Sequence, residues 1–286
     1  MIVVVGPVFP YRGGIADTNN AFVSALEAQG EEVVIFSFSL LYPRILFPGK
    51  TPFSDEKTPL SKPAHQTINT LHPLSWWKTA KRIKALNPRL VVFRYWTPWL
   101  ALSYVVIAKC IAVKKIAWID NAIPHERKPL DGFLLKSFLK RIDEVLCMST
   151  VVADHLKKQT KKKIHKLFHP INTQLPKPLS KEKALQDLGL SNSHKYLLFF
   201  GLIRPYKGLD ILIKSLPQLK EKHPNVRLLV VGEPYEPLST YRTLAARLKV
   251  DDIVLFHDRF VSNKAIALWF SACDWVVQPY KSATQS

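Results

Sequence analysis

Carboxylates are scarce in this chain. Its 286 residues carry 22 Asp and Glu against 41 Lys and Arg, a formal net charge of +19. A surplus of that size argues for anionic partners such as nucleotides, phosphates, lipid headgroups or nucleic acid, without choosing among them. Cysteine is scarcer still. Cys110, Cys147 and Cys273 stand far apart, with no CxxC and no Cys/His metal spacing. Neither a disulfide framework nor a zinc site is supported, and reduced, buried thiols in a cytoplasmic protein are the expectation. Long apolar runs are missing as well. The longest, residues 99–108, stops at Lys109 and is shorter than the ~20 residues a spanning helix needs. No basic segment precedes "IVVVG" at the start, which therefore reads as a buried strand rather than a leader. A soluble or peripheral protein is expected.

What the chain does have is material for packed cores: 47% hydrophobic and 11% aromatic residues. Its length suits two domains at roughly 100–200 residues each. Strand and helix patterns alternate through the first half, and the strands are continuous apolar runs rather than alternating ones. "IVVVG", "EEVVIFSFS", "RLVVFRYW", "KKIAWID" and "EVLCMS" give about five strands. That rhythm predicts an α/β architecture with parallel, doubly wound sheets. Residues 50–71, rich in Pro, Ser, Thr and Lys, read as one long loop. Three prolines in 169–180 mark a boundary, dividing an N-terminal domain, 1–172, from a C-terminal domain, 173–286. A second α/β series of about four strands follows, and a closing helix is expected after its last strand, so the sequence reads as truncated at its C-terminus.

Five stretches carry chemistry. In "GPVFPYRGGIADT", Gly13 and Gly14 open the first helix, where backbone N–H groups and the helix dipole favour an anion. The spacing is not GxGxxG, and a plain structural turn is an equal reading. In "IDNAIPHERKPLD", Asp120, Asn121, His125 and Glu126 gather acid, amide, imidazole and carboxylate on the loop after a strand. Open α/β sheets bind ligands at that edge, and such a loop can position hydroxyls and manage a proton; a hydrogen-bonded polar turn is the competing reading. In "FFGLIRPYKGLDILI", Gly201 ends a strand, Arg204 and Lys207 follow, and Gly208 precedes a helix. Two fixed cations and a helix N-terminus suit a pyrophosphate and the charge that develops as it leaves; a solvated basic turn is the alternative. "VVGEPYEP" puts Glu233 after a strand-ending glycine, where it could meet a hydroxyl or belong to an ordinary turn. Lastly, residues 157–166 hold six lysines. A solvated face or contact with anionic lipid headgroups would account for them. Residues 1–172 hold 25 Lys and Arg against 12 Asp and Glu, so this half carries +13 of the total.

Taken together, "GPVFPYRGGIADT", "NAIPHE", "FFGLIRPYKGLDILI" and the terminal "DWVVQPYKSATQS" resemble the retaining family 4 glycosyltransferases of GT-B fold. The resemblance covers essentially the whole chain. It implies two Rossmann-like domains with parallel sheets facing a cleft, the first on the acceptor side and the second binding a nucleotide-diphosphate sugar. It implies sugar transfer to a glycan or lipid-linked acceptor with retained anomeric configuration, as in polysaccharide biosynthesis, with no metal and no cofactor beyond the donor. Arg204, Lys207 and Gly208 would grip the donor pyrophosphate, with Gly13 and Gly14 approaching it from the first domain. His125 with Asp120 would form the polar pair at the reacting sugar, since Asp120 stands where many relatives have histidine. Arg12, Asp17, Asn121, Glu126, Glu233 and Tyr280 are further contact candidates for sugar, acceptor or nucleotide. The family's E-x7-E carboxylate pair would fall past residue 286, so the chain as given is expected to be inactive alone. A non-catalytic nucleotide-sugar-binding protein of the same fold is the alternative. Nucleic acid is not an expected partner, because no stacking platform or recognised motif accompanies the basic residues. An anionic membrane surface is carried as a partner, with peripheral attachment to the inner face.

Overall fold

The computed structural model describes residues 1–43, 51–54, 60–123, 129–170 and 175–282, without the Lys264 side chain. It divides into two compact units, one taking in Met1–Phe47 and Thr51–Asn172, the other Thr173–Ala283.

The first unit is built on seven parallel strands: β1 (Ile2–Val5), β2 (Val33–Leu40), β3 (His65–Asn69), β4 (Leu90–Tyr95), β5 (Lys114–Ile119), β6 (Glu144–Cys147) and β7 (Lys163–Lys166). Their order across the sheet is β3-β2-β1-β4-β5-β6-β7. Helices α1 (Gly14–Ala28), α2 (Pro73–Ala85), α3 (Ala101–Lys109), α4 (Asp131–Leu139) and α5 (Thr150–Lys157) connect them. The central strands are apolar on both faces because both are covered. On one side Val3, Val5, Val91 and Phe93 meet Ala80 and Ile83 of α2, Tyr104 and Ile107 of α3, and Phe138 of α4. On the other, Val4, Ile35 and Val92 meet Val23, Phe22 and Leu26 of α1. The sheet is therefore doubly wound, as expected.

Two strands depart from the sequence reading. β3 lies inside the stretch read as one long loop, and β7 lies inside the lysine run. Their sequences, HQTIN and KIHK, are polar, and they are the two edges of the sheet. An edge strand has one side and one face open to water, and lysine there discourages pairing with another chain. The first unit thus has seven strands among the described residues where about five were expected.

The second unit repeats the plan on a smaller scale. Its strands β8 (Lys195–Phe200), β9 (Val226–Val231), β10 (Val254–His257) and β11 (Trp275–Val276) pair in parallel in the order β10-β9-β8-β11. Helices α6 (Lys181–Leu188), α7 (Leu209–Lys222), α8 (Ser239–Arg247) and α9 (Asn263–Ala272) pack on the two faces. Ser180 caps α6 by accepting a hydrogen bond from the Lys183 N–H at 3.3 Å.

Each sheet has one point where chain order reverses direction, between β1 and β4 in the first and between β8 and β11 in the second. Helix N-termini diverge there and leave a crevice at the carboxyl ends of the strands.

Candidate functional site

In the second unit the reversal point is lined by the loop after β8 and the segment after β11. β8 ends at Phe200, just before Gly201, and Arg204 caps a short 3-10 turn, Pro205–Lys207, that runs through Gly208 into α7. The proline fixes the entry to the turn. Gly208 has φ +73°, and a Cβ there would lie 2.0 Å from the Pro279 carbonyl oxygen. Gly232, at the end of β9, comes equally close to the Gly201 carbonyl oxygen, at 2.0 Å from an added Cβ. Backbone therefore packs on backbone at this corner, and no other residue fits either position. The Lys281 N–H donates to the Tyr206 carbonyl at 2.8 Å, and the Lys281 ammonium pairs with Asp210 at 2.8 Å. These contacts tie the segment after β11 to the start of α7.

Lys207 and Arg204 lie at the top of this corner, both half-buried. The Lys207 ammonium rests against the end of β8, 2.6 Å from where a Cβ on Gly201 would stand, and 5.6 Å from the centre of the Tyr280 ring. Burial pulls its pKa from 10.5 down to about 8, and the neighbouring Arg204 charge adds to that pull. The Arg204 guanidinium stacks 4.6 Å over the Tyr235 ring, and its Nε is buried without a hydrogen-bond partner. Among the described residues neither cation has an ion pair with a carboxylate. Two half-buried cations with no carboxylate partner among the described residues, above the first turn of a 14-residue helix, are an arrangement that can hold an anion with more than one charge. Glu233 is 2% exposed, and its backbone carbonyl accepts the Ile203 N–H at 2.9 Å. It belongs to the floor of the corner. Tyr280 is half-buried, packing its ring 6.0 Å from that of Tyr206.

In the first unit the reversal point is differently made. Gly13 (φ +102°) precedes α1, and Gly14 begins it; space above both is open. Arg12 is half-buried and its N–H donates to the Pro52 carbonyl at 3.0 Å, while the Asp17 N–H donates to the Gly13 carbonyl at 3.0 Å. Asn121 is half-buried just past β5. Asp120, read from the sequence as half of a catalytic pair, is 2% exposed. Its carboxylate accepts two hydrogen bonds from Arg94, from Nε at 2.6 Å and Nη2 at 2.8 Å. Arg94 also donates to the Thr18 hydroxyl at 3.0 Å and stacks 3.5 Å over Trp118. Burial lowers the Arg94 pKa, and Asp120 opposes that shift. The geometry gives Asp120 a holding role in a buried ion pair. His125 and Glu126, the other members of that proposed cluster, lie outside the described residues.

The sequence reading missed Arg94, Thr18, Asp210, Tyr235 and Lys281. The signal for Arg94 was visible: a charged residue in the middle of the apolar run "VVFRYW" must find a buried partner.

Residues 180–284 match the family model described as Glycosyl transferases group 1. Over 100% of this chain and 77% of the other, the fold superposes on sucrose-phosphate synthase from Thermosynechococcus elongatus with a TM-score of 0.74 at 17% identity. The fold is GT-B. Two curated relatives share sequence with this GT-B chain. The glycosyltransferase YqgM of Bacillus subtilis (strain 168) is 31% identical over 156 residues, 54% of this chain and 40% of its own length. The alpha-monoglucosyldiacylglycerol synthase of Streptococcus pneumoniae (strain ATCC BAA-255 / R6) is 28% identical over 167 residues, 56% of this chain and 37% of its own length. The alignments thus cover about two fifths of those relatives. In the GT-B frame the matched region contains the whole second corner, with Gly201, Arg204, Lys207, Gly208, Glu233 and Tyr280.

Proposed function

We propose that this protein transfers a sugar from a nucleotide-diphosphate donor to a carbohydrate or lipid-linked acceptor, with the anomeric configuration retained. The observation that carries the reading is the pair Arg204 and Lys207, held half-buried and, among the described residues, without carboxylate partners at the reversal point of the second sheet. A diphosphate supplies the missing negative charge. Its oxygens would take the Lys207 ammonium, the Arg204 fork and the N–H groups at the start of α7. The same groups would stabilise the charge that grows on the diphosphate as the sugar leaves. No metal is called on in this reading, because two cations and a helix N-terminus already face the leaving group. A lipid-linked acceptor is favoured by the likeness to a synthase whose name specifies a diacylglycerol glycolipid.

The test is a thermal-shift titration of the full-length protein with UDP, GDP and ADP, followed by diphosphate release from the matching sugar nucleotides. At least one diphosphate is expected to raise the melting temperature, and Lys207→Ala to abolish that rise. An undiminished rise in the variant, or no release from any sugar nucleotide, overturns the reading.

A further inference from the structure

Residues 57–119 contain eleven Lys and Arg and not one Asp or Glu. This interval contains α2 and α3, which pack side by side, with α4 packing on α3 in turn. The inward faces of all three belong to the core of the first unit. Their outward faces combine two features. The first is apolar side chains left in solvent: Leu74 is 62% exposed, Trp77 48%, Leu102 58%, Leu130 67% and Phe133 69%. The second is unpaired positive charge. Lys78, Lys81 and Arg82 of α2, Lys109 of α3 and Lys136 of α4 are exposed and make no ion pair among the described residues.

The apolar positions are not scattered. Leu74 is the second residue of α2, Leu102 the second of α3 and Phe133 the third of α4, while Leu130 is the N-cap of α4. The strands are all parallel, so each connecting helix runs back against them and starts at the carboxyl edge of the sheet. The exposed leucines and Phe133 therefore collect at that one edge, and Trp77 stands one turn further along α2. Most of the cations lie behind them. Lys81 sits 3.7 Å over the Trp77 ring, an aromatic with its polar neighbour at the boundary between the two zones.

We infer that this edge of the first unit docks on an anionic lipid surface, with Trp77, Leu130 and Phe133 entering the headgroup layer and the lysines of α2 and α4 meeting lipid phosphates. An apolar rim backed by lysine and arginine is the composition of interfacial membrane binding. Charge complementarity selects a lipid bilayer over an apolar protein partner: α2 and α3 carry no carboxylate, and Asp131 at the start of α4 is the one acidic residue on the three helices. No described helix is long and apolar enough to cross a membrane, so contact would be peripheral. The lysine run at 157–166, read from the sequence as a solvated face or a lipid contact, includes the edge strand β7 and is followed by the exposed Leu167 and Phe168, so it is the rival face that the experiment separates from this one. The inference rests on exposure and charge and is independent of the transfer reaction.

The experiment is sedimentation of the full-length protein with vesicles of phosphatidylcholine alone or mixed with phosphatidylglycerol. Binding is expected only with the anionic vesicles. The double variant Trp77→Ser/Phe133→Ser is expected to lose about tenfold in partitioning while keeping the wild-type melting temperature, because both side chains are exposed. The triple variant Lys161→Gln/Lys162→Gln/Lys163→Gln should bind like wild type; were that run the docking face, it would lose on the order of a hundredfold. Absence of wild-type binding, an unaffected Trp77/Phe133 variant, or concentration-dependent dimerisation that the double variant abolishes in the absence of vesicle binding would each overturn the inference. A protein that binds a nucleoside diphosphate but no vesicle sinks this inference alone; one that binds vesicles but no diphosphate sinks the functional reading alone.

Discussion

Near the end of β4, beside β1, Arg94 is 1% exposed, and its guanidinium is stacked over Trp118 and held by Asp120. At the end of β8 the guanidinium of Arg204 lies on Tyr235 beside Lys207, with no carboxylate against either among the described residues. Both places are reversal points of parallel sheets, where the backbone opens a crevice. The side chains give the two crevices opposite character. In the first unit an internal carboxylate neutralises the cation, and the pair fixes β4 to β5. In the second, half-buried positive charge has no carboxylate partner among the described residues. A buried cation without a counterion lowers stability, so keeping two of them half-buried makes sense where a ligand completes the pairing. Topology locates both candidate sites, and the pattern of pairing tells which of them has positive charge left over.

The sharpest way to break this contrast is Asp120→Ala. If Asp120 is a structural counterion, its removal leaves Arg94 buried and unpaired, and unfolding by denaturant should show a loss of about 3–5 kcal/mol. Replacing both, as Arg94→Met with Asp120→Leu, should recover most of that loss. A cost for Asp120→Ala below about 1 kcal/mol, the scale of a surface pair, would erase the distinction.

A smaller effect separates the two corners by pH. The folded-state pKa of Lys207 is pulled down from 10.5 to about 8. Between those values the unfolded chain holds a proton that the folded, ligand-free protein has released. Stability of the ligand-free protein therefore gains from this group as pH rises through that window, and nothing below it. Affinity for a diphosphate should move the other way, falling as the ammonium is lost above about pH 8. Calorimetric titration checks the second trend and thermal unfolding the first. An affinity that stays flat across the window would remove Lys207 from the anion site.

The smallest expected change is Arg204→Lys. It preserves the charge but loses the planar fork and its stacking on Tyr235, so diphosphate binding should weaken by about three- to tenfold. If this variant costs more affinity than Lys207→Ala, the order of importance at the corner is reversed.

The sequence made the second corner far more legible than the first. "GLIRPYKG" puts glycine, cations and a helix start in one contiguous stretch, so local spacing alone singled it out, with a solvated basic turn as the other reading. Asp120 was visible too, but its partner Arg94 is 26 residues away in sequence, and only strand pairing brings them together. The central strands were readable because burial on both faces makes them continuously apolar. β3 and β7 were not, since each is an edge with few buried side chains, and their polar sequences look like loop and charge run. The exposed apolar tips of α2, α3 and α4 escaped for a related reason. A helix pattern shows which residues are apolar, while exposure depends on which neighbours the fold supplies.

The floor of the second corner is main chain against main chain, at Gly208 on Pro279 and Gly232 on Gly201. A surface made of peptide groups offers almost nothing for substitution to vary. Any shift in what this corner accepts, by evolution or by engineering, would have to arise from its walls, from Arg204, Tyr235 and Tyr280, while the base beneath stays constant. Mutational libraries aimed at new specificity should therefore randomise the walls and leave the glycines fixed.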